Sequence, residues 1–248
     1  MTTTFKQDAT ALSLARLEFL IGMRDTIPLL VGAIPFGIIF GTLAISSGLS
    51  FWETLAMSAF VFAGSAQFIA LGLLAIGTSW PIIILTTFVV NLRHLLYAVT
   101  LLPHVKSLPQ HWQIPLAFWL TDETFAVVIK RYDQPDSSPY KRWYHLGSAL
   151  AMYFNWLFCT FLGLTIGHTF PYISAWGLDF AMPVTFIGMI IPYLKNHPMW
   201  AAVLIAGSVS LATYSLPYKL GLILAALAGV VGGYMVEQFT KSNVRRET

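Results

Sequence analysis

The stretch WPIIILTTFVVNLRHLLYAVTLL, residues 80–102, decides the fold. A bilayer hydrocarbon core of about 30 Å is crossed by roughly 20 apolar residues in a helix, and this stretch meets that length with Arg93 as its one charge. Outward from it the same character recurs. The chain of 248 residues is 56% hydrophobic and 10% charged, with a mean hydropathy of +0.70, whereas soluble domains carry about 25% charged residues. No polar stretch is long enough to enclose an aqueous fold. The expected class is all-α, a polytopic transmembrane helix bundle.

Further windows place about eight spans, near 26–46, 54–77, 80–102, 115–130, 144–168, 178–194, 199–216 and 218–237. Some of these should be broken or re-entrant, because the fourth and sixth are short and the links after the second and seventh are tight. Charge sets the orientation. With the N-terminus inside, eleven of the fourteen Lys and Arg fall in cytoplasmic segments, among them Lys130, Arg131, Lys141 and Arg142, as the positive-inside rule expects. Both termini are thus expected in the cytoplasm. This topology accounts for the net charge of +3 without nucleic acid. Residues 1–25 carry Lys6, Asp8, Arg16, Glu18, Arg24 and Asp25, which is not a signal-peptide pattern, so this segment is expected to be retained. Residues 9–24 suit a helix lying on the inner surface. The transporter domain is read as 26–237 and a basic cytoplasmic tail as 238–248. Cys159, the single cysteine, excludes an internal disulfide.

Charges within spans are expensive, about 2.5–3.5 kcal/mol at a helix centre, and so mark bundle interiors or pathways. Arg93 lies nine residues before the outer end of its span, a depth of about 14 Å, and Asp122 lies about 11 Å below the same surface on the next span. An ion pair fixing two helices is one reading of Arg93 with an acid. Asp122 and Glu123 are adjacent and cannot both point the same way, so one should be left for a substrate ammonium or a coupling proton. In the run Phe62-Ala63-Gly64-Ser65-Ala66-Gln67-Phe68, Gly64 and Ser65 reach a similar depth of roughly 15 Å. A break there would free amides to receive a carboxylate; close helix packing is the simpler alternative. Gln67 needs polar company at mid-span. Asn91 and His94 complete the polar set on the third span, His94 as a candidate proton carrier or a hydrogen-bonding core residue.

Gly-x-x-x-Gly spacings at Gly37 and Gly41, Gly163 and Gly167, and Gly229 and Gly233 indicate close helix contact, within the chain or with another membrane subunit. Pro183 and Pro192 suggest an irregular sixth span.

Pro35-Phe36-Gly37 with Gly41, Phe62 to Phe68, Asn91-Leu92-Arg93-His94-Leu95-Leu96-Tyr97, Thr121-Asp122-Glu123-Thr124-Phe125-Ala126 and Gly177-Leu178-Asp179-Phe180 together resemble the AzlC family, large subunits of bacterial branched-chain amino acid exporters. The resemblance covers about residues 18–195. It implies a permease of the bacterial cytoplasmic (inner) membrane that exports valine, leucine, isoleucine or methionine with a small AzlD-like membrane subunit. A gradient, with protons the expected ion, would drive it, since no phosphate-binding Gly-x-x-x-x-Gly-Lys-Ser/Thr loop occurs. The residue chemistry suits a zwitterion: Arg93 or the Gly64-Ser65 break for the carboxylate, Asp122 or Glu123 for the ammonium or proton.

Two other classes compete. A membrane enzyme would need a reactive set such as His-Glu-x-x-His, which does not occur, and neither cofactor nor metal is expected. A channel or non-transporting scaffold subunit would also use buried pairs and glycine faces.

Overall fold

In a computed structural model, residues 2–136, 138–169, 187, 191, 194–216 and 220–247 are described. The expected sixth span, with Pro183, Pro192 and the Gly177 to Phe180 motif, lies outside the described residues. The described chain is helical without strands, a membrane helix bundle. Its helices are α1 (Thr2–Ser46), α2 (Phe51–Phe60), α3 (Gly64–Ala75), α4 (Trp80–Val105), α5 (Gln110–Phe118), α6 (Asp122–Tyr132), α7 (Lys141–Thr169), α8 (His197–Ala212) and α9 (Leu220–Glu247). Among the described residues, three helical segments are long and apolar enough to cross a membrane: Leu12–Ser46, Trp80–Val105 and Lys141–Gly167.

Two expected spans are pairs of half-helices. The second is α2 followed by α3, with a break at 61–63 where Phe62 takes a φ of +42°. The fourth begins earlier than expected, at Gln110, and is α5 followed by α6 with a break at 119–121. At one end, α1 runs without interruption through residues 9–24 into the first span. At the other, α9 extends through residues read from sequence as a tail.

The chain divides into two units. The first holds α1–α3, α4 from Val90, and α5–α7. Its frame is α1 against α7. Gly22 lies on the Tyr144 carbonyl, Gly37 on Cys159, and Gly167 on Thr42. The partner numbers rise together, so the two helices run parallel, as spans separated by three others must. Backbones also touch at Gly41 and Gly163, where an added Cβ would run into the Thr160 and Ile38 carbonyls respectively. Hydroxyls tie the seam: Thr26 donates to Ser148 at 2.7 Å and Thr42 to the Gly163 carbonyl at 3.0 Å. Around α4 and α6 a second core gathers Leu101, Leu120, Val127, Val128, Tyr132 and Tyr144.

The second unit holds Thr78–Val89, α8 and α9. Gly221 meets Thr213, Gly229 meets Ala202 and Ala206, and Gly233 meets Ala202 and Pro198. The numbers here run oppositely, so α8 and α9 form an antiparallel hairpin. All three Gly-x-x-x-Gly faces are therefore occupied within the chain.

In the last turn of α6, Arg131 pairs with Glu18 of α1 and with Asp136 at 2.8 Å, and Lys141 reaches Asp136 at 2.9 Å. Hydrogen bonds from Arg131 and Lys141 hold the Asp136 carboxyl well below the usual carboxylate range. A carboxyl depressed on folding stabilises above its unfolded pKa, and that stabilisation is lost as pH falls.

Two predictions rest on this frame. Gly163→Ala should destabilise by about 1–3 kcal/mol or more, since backbone rather than a flexible side chain blocks the new methyl. Gly72→Ala, with open space at its Cβ position, should be neutral or slightly stabilising, and thermal melting in detergent compares the two. Asp136→Asn should lower stability at neutral pH and make the acid side of the stability profile shallower, as melts repeated across pH would record.

Candidate functional site

The polar residues of spans 2, 3 and 4 meet at the two breaks. Arg93, on α4, places Nη2 2.5 Å from the Ser65 hydroxyl and Nη1 3.2 Å from an Asp122 oxygen. Ser65 is in the first turn of α3 and Asp122 opens α6, so one guanidinium bridges the N-termini of two half-helices. Tyr97, one turn along α4, donates its hydroxyl to the other Asp122 oxygen at 2.6 Å. Its ring stacks on Phe125 of α6, with centroids 4.5 Å apart. Leu92, Leu95, Leu96 and Val99 of α4 are exposed. Polar side chains thus turn toward the half-helices while the apolar ones face outward.

The two half-helix ends differ electrostatically. Thr121 caps α6 and accepts from the Thr124 amide, and Asp122 and Glu123 stand in its first turn, where negative charge offsets the positive helix end. Helix α3 starts after Ala63, with no side-chain cap and no acid in its first turn. Its leading amides, beside Arg93, are the part of the site suited to an anion. Asp122 is committed to Arg93 and Tyr97. Glu123 makes no ion pair among the described residues, so it is the acid left over.

Gln67 is turned elsewhere. Fully buried, it donates to Ser58 of α2 at 3.0 Å and accepts from the Trp156 indole of α7 at 3.1 Å. Ser58 in turn lies 2.9 Å from Thr160. The expected polar company exists, and it staples the first break to α7. Gly64 lets the Trp156 ring approach, since a Cβ there would meet it at 3.0 Å. His94 contributes an edge-on ring contact to Tyr97 at 6.0 Å. Asn91 has a buried Oδ1 without a hydrogen-bond partner among the described residues. Neither bonds to the Arg93 cluster.

The AzlC protein family model matches residues 28–170, a stretch containing both breaks and Arg93. This chain belongs to the AzlC family. It is 32% identical to an "Uncharacterized membrane protein" of Helicobacter pylori over 85% of this chain and 95% of that one. It is 29% identical to "Inner membrane protein YgaZ" of Escherichia coli K12, covering 87% of each. The "Branched-chain amino acid transport protein AzlC" of Bacillus subtilis is 27% identical over 84% of this chain and 80% of its own length. No solved structure matches.

Some features of this AzlC-family site escaped sequence reading. Ser58, Trp156 and Thr160 carry no special signal, because serine, tryptophan and threonine are ordinary in apolar helices. Tyr97 was legible in principle, lying four residues after Arg93 and so on the same helix face.

Gln67→Leu tests the staple. It leaves Ser58 and the Trp156 N–H without their shared partner, which should cost about 1–3 kcal/mol. The loss should appear as a lower melting temperature in detergent, whether or not any solute is present.

Proposed function

We propose that this chain is a gradient-driven carrier of small apolar amino acids across the bacterial cytoplasmic membrane. Valine, leucine, isoleucine and methionine are its cargo, export its working direction and the proton its coupling ion. The observation that carries this reading is the Arg93 bridge between two half-helix N-termini. Carriers use broken helices in this way, with free amides turned toward an anionic group at mid-membrane.

Charge supports the zwitterionic cargo. Arg93 is balanced by Asp122, which leaves the negative charge of Glu123 in search of a cation. An amino acid supplies one in its ammonium, while its carboxylate takes the Arg93 guanidinium and the first amides of α3. A proton satisfies Glu123 when no substrate is bound, and that exchange is the coupling step. The name of the Bacillus subtilis relative points to the same cargo. A small AzlD-like subunit would dock away from the three glycine faces, which this chain already fills.

The test is counterflow of labelled leucine in proteoliposomes, with and without the small subunit and across pH. Wild type should accumulate leucine. Glu123→Gln should abolish the pH response, and Arg93→Lys should reduce uptake at least about ten-fold, because an ammonium cannot serve both helix ends as a planar fork does. Leucine binding without counterflow would indicate a scaffold. A pH response unchanged in both Glu123→Gln and Asp122→Asn would refute the acid assignment.

A further inference from the structure

Arg93 links the two breaks through charge, and a further link between them is aromatic. Tyr153 sits on α7 about 18 Å along the helix from Lys141. Its hydroxyl donates to the Ala59 carbonyl at 3.1 Å, in the last turn of α2, where a helix end leaves carbonyls without intrahelical donors. Its ring meets Phe62 edge-on at 5.0 Å. Phe62 is the residue with positive φ, a conformation that costs a non-glycine residue free energy and persists only when neighbours enforce it. The same ring lies 5.7 Å from Trp119, the residue that ends α5, with Phe118 at 6.5 Å.

We propose that Tyr153 is a positioning residue that holds the two helix breaks in register, so that the N-termini of α3 and α6 stay at a spacing one substrate can bridge. Phe62 precedes Gly64 by two residues and Trp119 precedes Asp122 by three, so fixing the first of each pair fixes the second. The two links have different fates during transport. A carboxylate that takes the Arg93 guanidinium loosens the ionic bridge at the moment of binding. The Tyr153 contacts are independent of that charge and persist, so the site does not come apart as it fills. The consequence for cargo rests on the carrier reading; the mechanical claim does not.

Hydrogen exchange on the full-length protein in nanodiscs tests the mechanical claim without transport. Tyr153→Ala should speed amide exchange about ten-fold in residues 59–66 and 117–124 together, because both breaks lose the same clamp. Tyr153→Phe keeps the ring and loses the Ala59 bond, so it should speed exchange in 59–66 alone. In leucine counterflow, Tyr153→Ala should raise KM about ten-fold with the maximal rate per folded protein within two-fold, and Tyr153→Phe should raise KM about three-fold. A role confined to stability would instead reduce folded protein at constant KM. Exchange that rises at only one break in Tyr153→Ala overturns the proposal, as does unchanged KM in a folded variant. If Tyr153→Ala does not fold, unaltered exchange in 59–66 of Tyr153→Phe overturns it. Wild-type protein that fails to move leucine, with both breaks still loosened together, would refute the carrier reading and leave the clamp standing.

Discussion

Hydrocarbon offers no hydrogen bonds, so a helix can be broken inside a membrane only where the protein itself satisfies the groups released. This constraint organises the first unit. The break at 61–63 is tied to α7 through Ser58, Gln67, Trp156 and Tyr153, and the break at 119–121 is capped by Thr121 and flanked by Trp119. Arg93 then joins the two across α4. Ser58, Gln67, Trp156, Tyr153, Thr121 and Arg93 each serve one of these tasks.

The parallel pair of α1 and α7 makes such breaks tolerable. Short broken helices have little packing surface of their own and need a rigid wall. The seam provides it, because glycines at 41 and 163 bring backbones into direct contact and dispersion acts over the whole length. From that wall Tyr153, Trp156 and Thr160 project at three- and four-residue spacing, one face of one helix, onto the second span. A rigid pair carrying a row of donors and rings against two broken helices separates the scaffold from the parts proposed to bind.

Hydrophobic length made the membrane class and most helix positions legible in sequence, since the solvent dictates apolar runs directly. The pairing of Arg93 with an acid at 122 or 123 was readable for a related reason: charges at mid-bilayer are few, and opposite signs at matching depth have little choice of partner. The first break was half legible, as Gly64-Ser65 permits an interruption without requiring one. The second was not. Trp119-Leu120-Thr121 contains no glycine or proline, and what ends α5 there is tertiary: the Arg93 and Tyr97 bonds to Asp122 and the ring of Tyr153. Nor could spacing tell which acid would pair, because Asp122 and Glu123 differ by one residue and only the placement of α4 separates them.

That separation is what gives the two acids different chemistry. Asp122 is held by a cation and a phenol, one at each of its carboxylate oxygens. Glu123, one residue on and about 100° around the helix, shares the positive helix end but has neither partner. On the carrier reading proposed above, either an ammonium or a proton satisfies Glu123, and the two cannot occupy it together. Mutual exclusion at a single carboxylate is the minimal arrangement for coupling a cationic group to a proton. The other acid then has a separate task, joining Arg93 and Tyr97 of α4 to the start of α6 through its two oxygens.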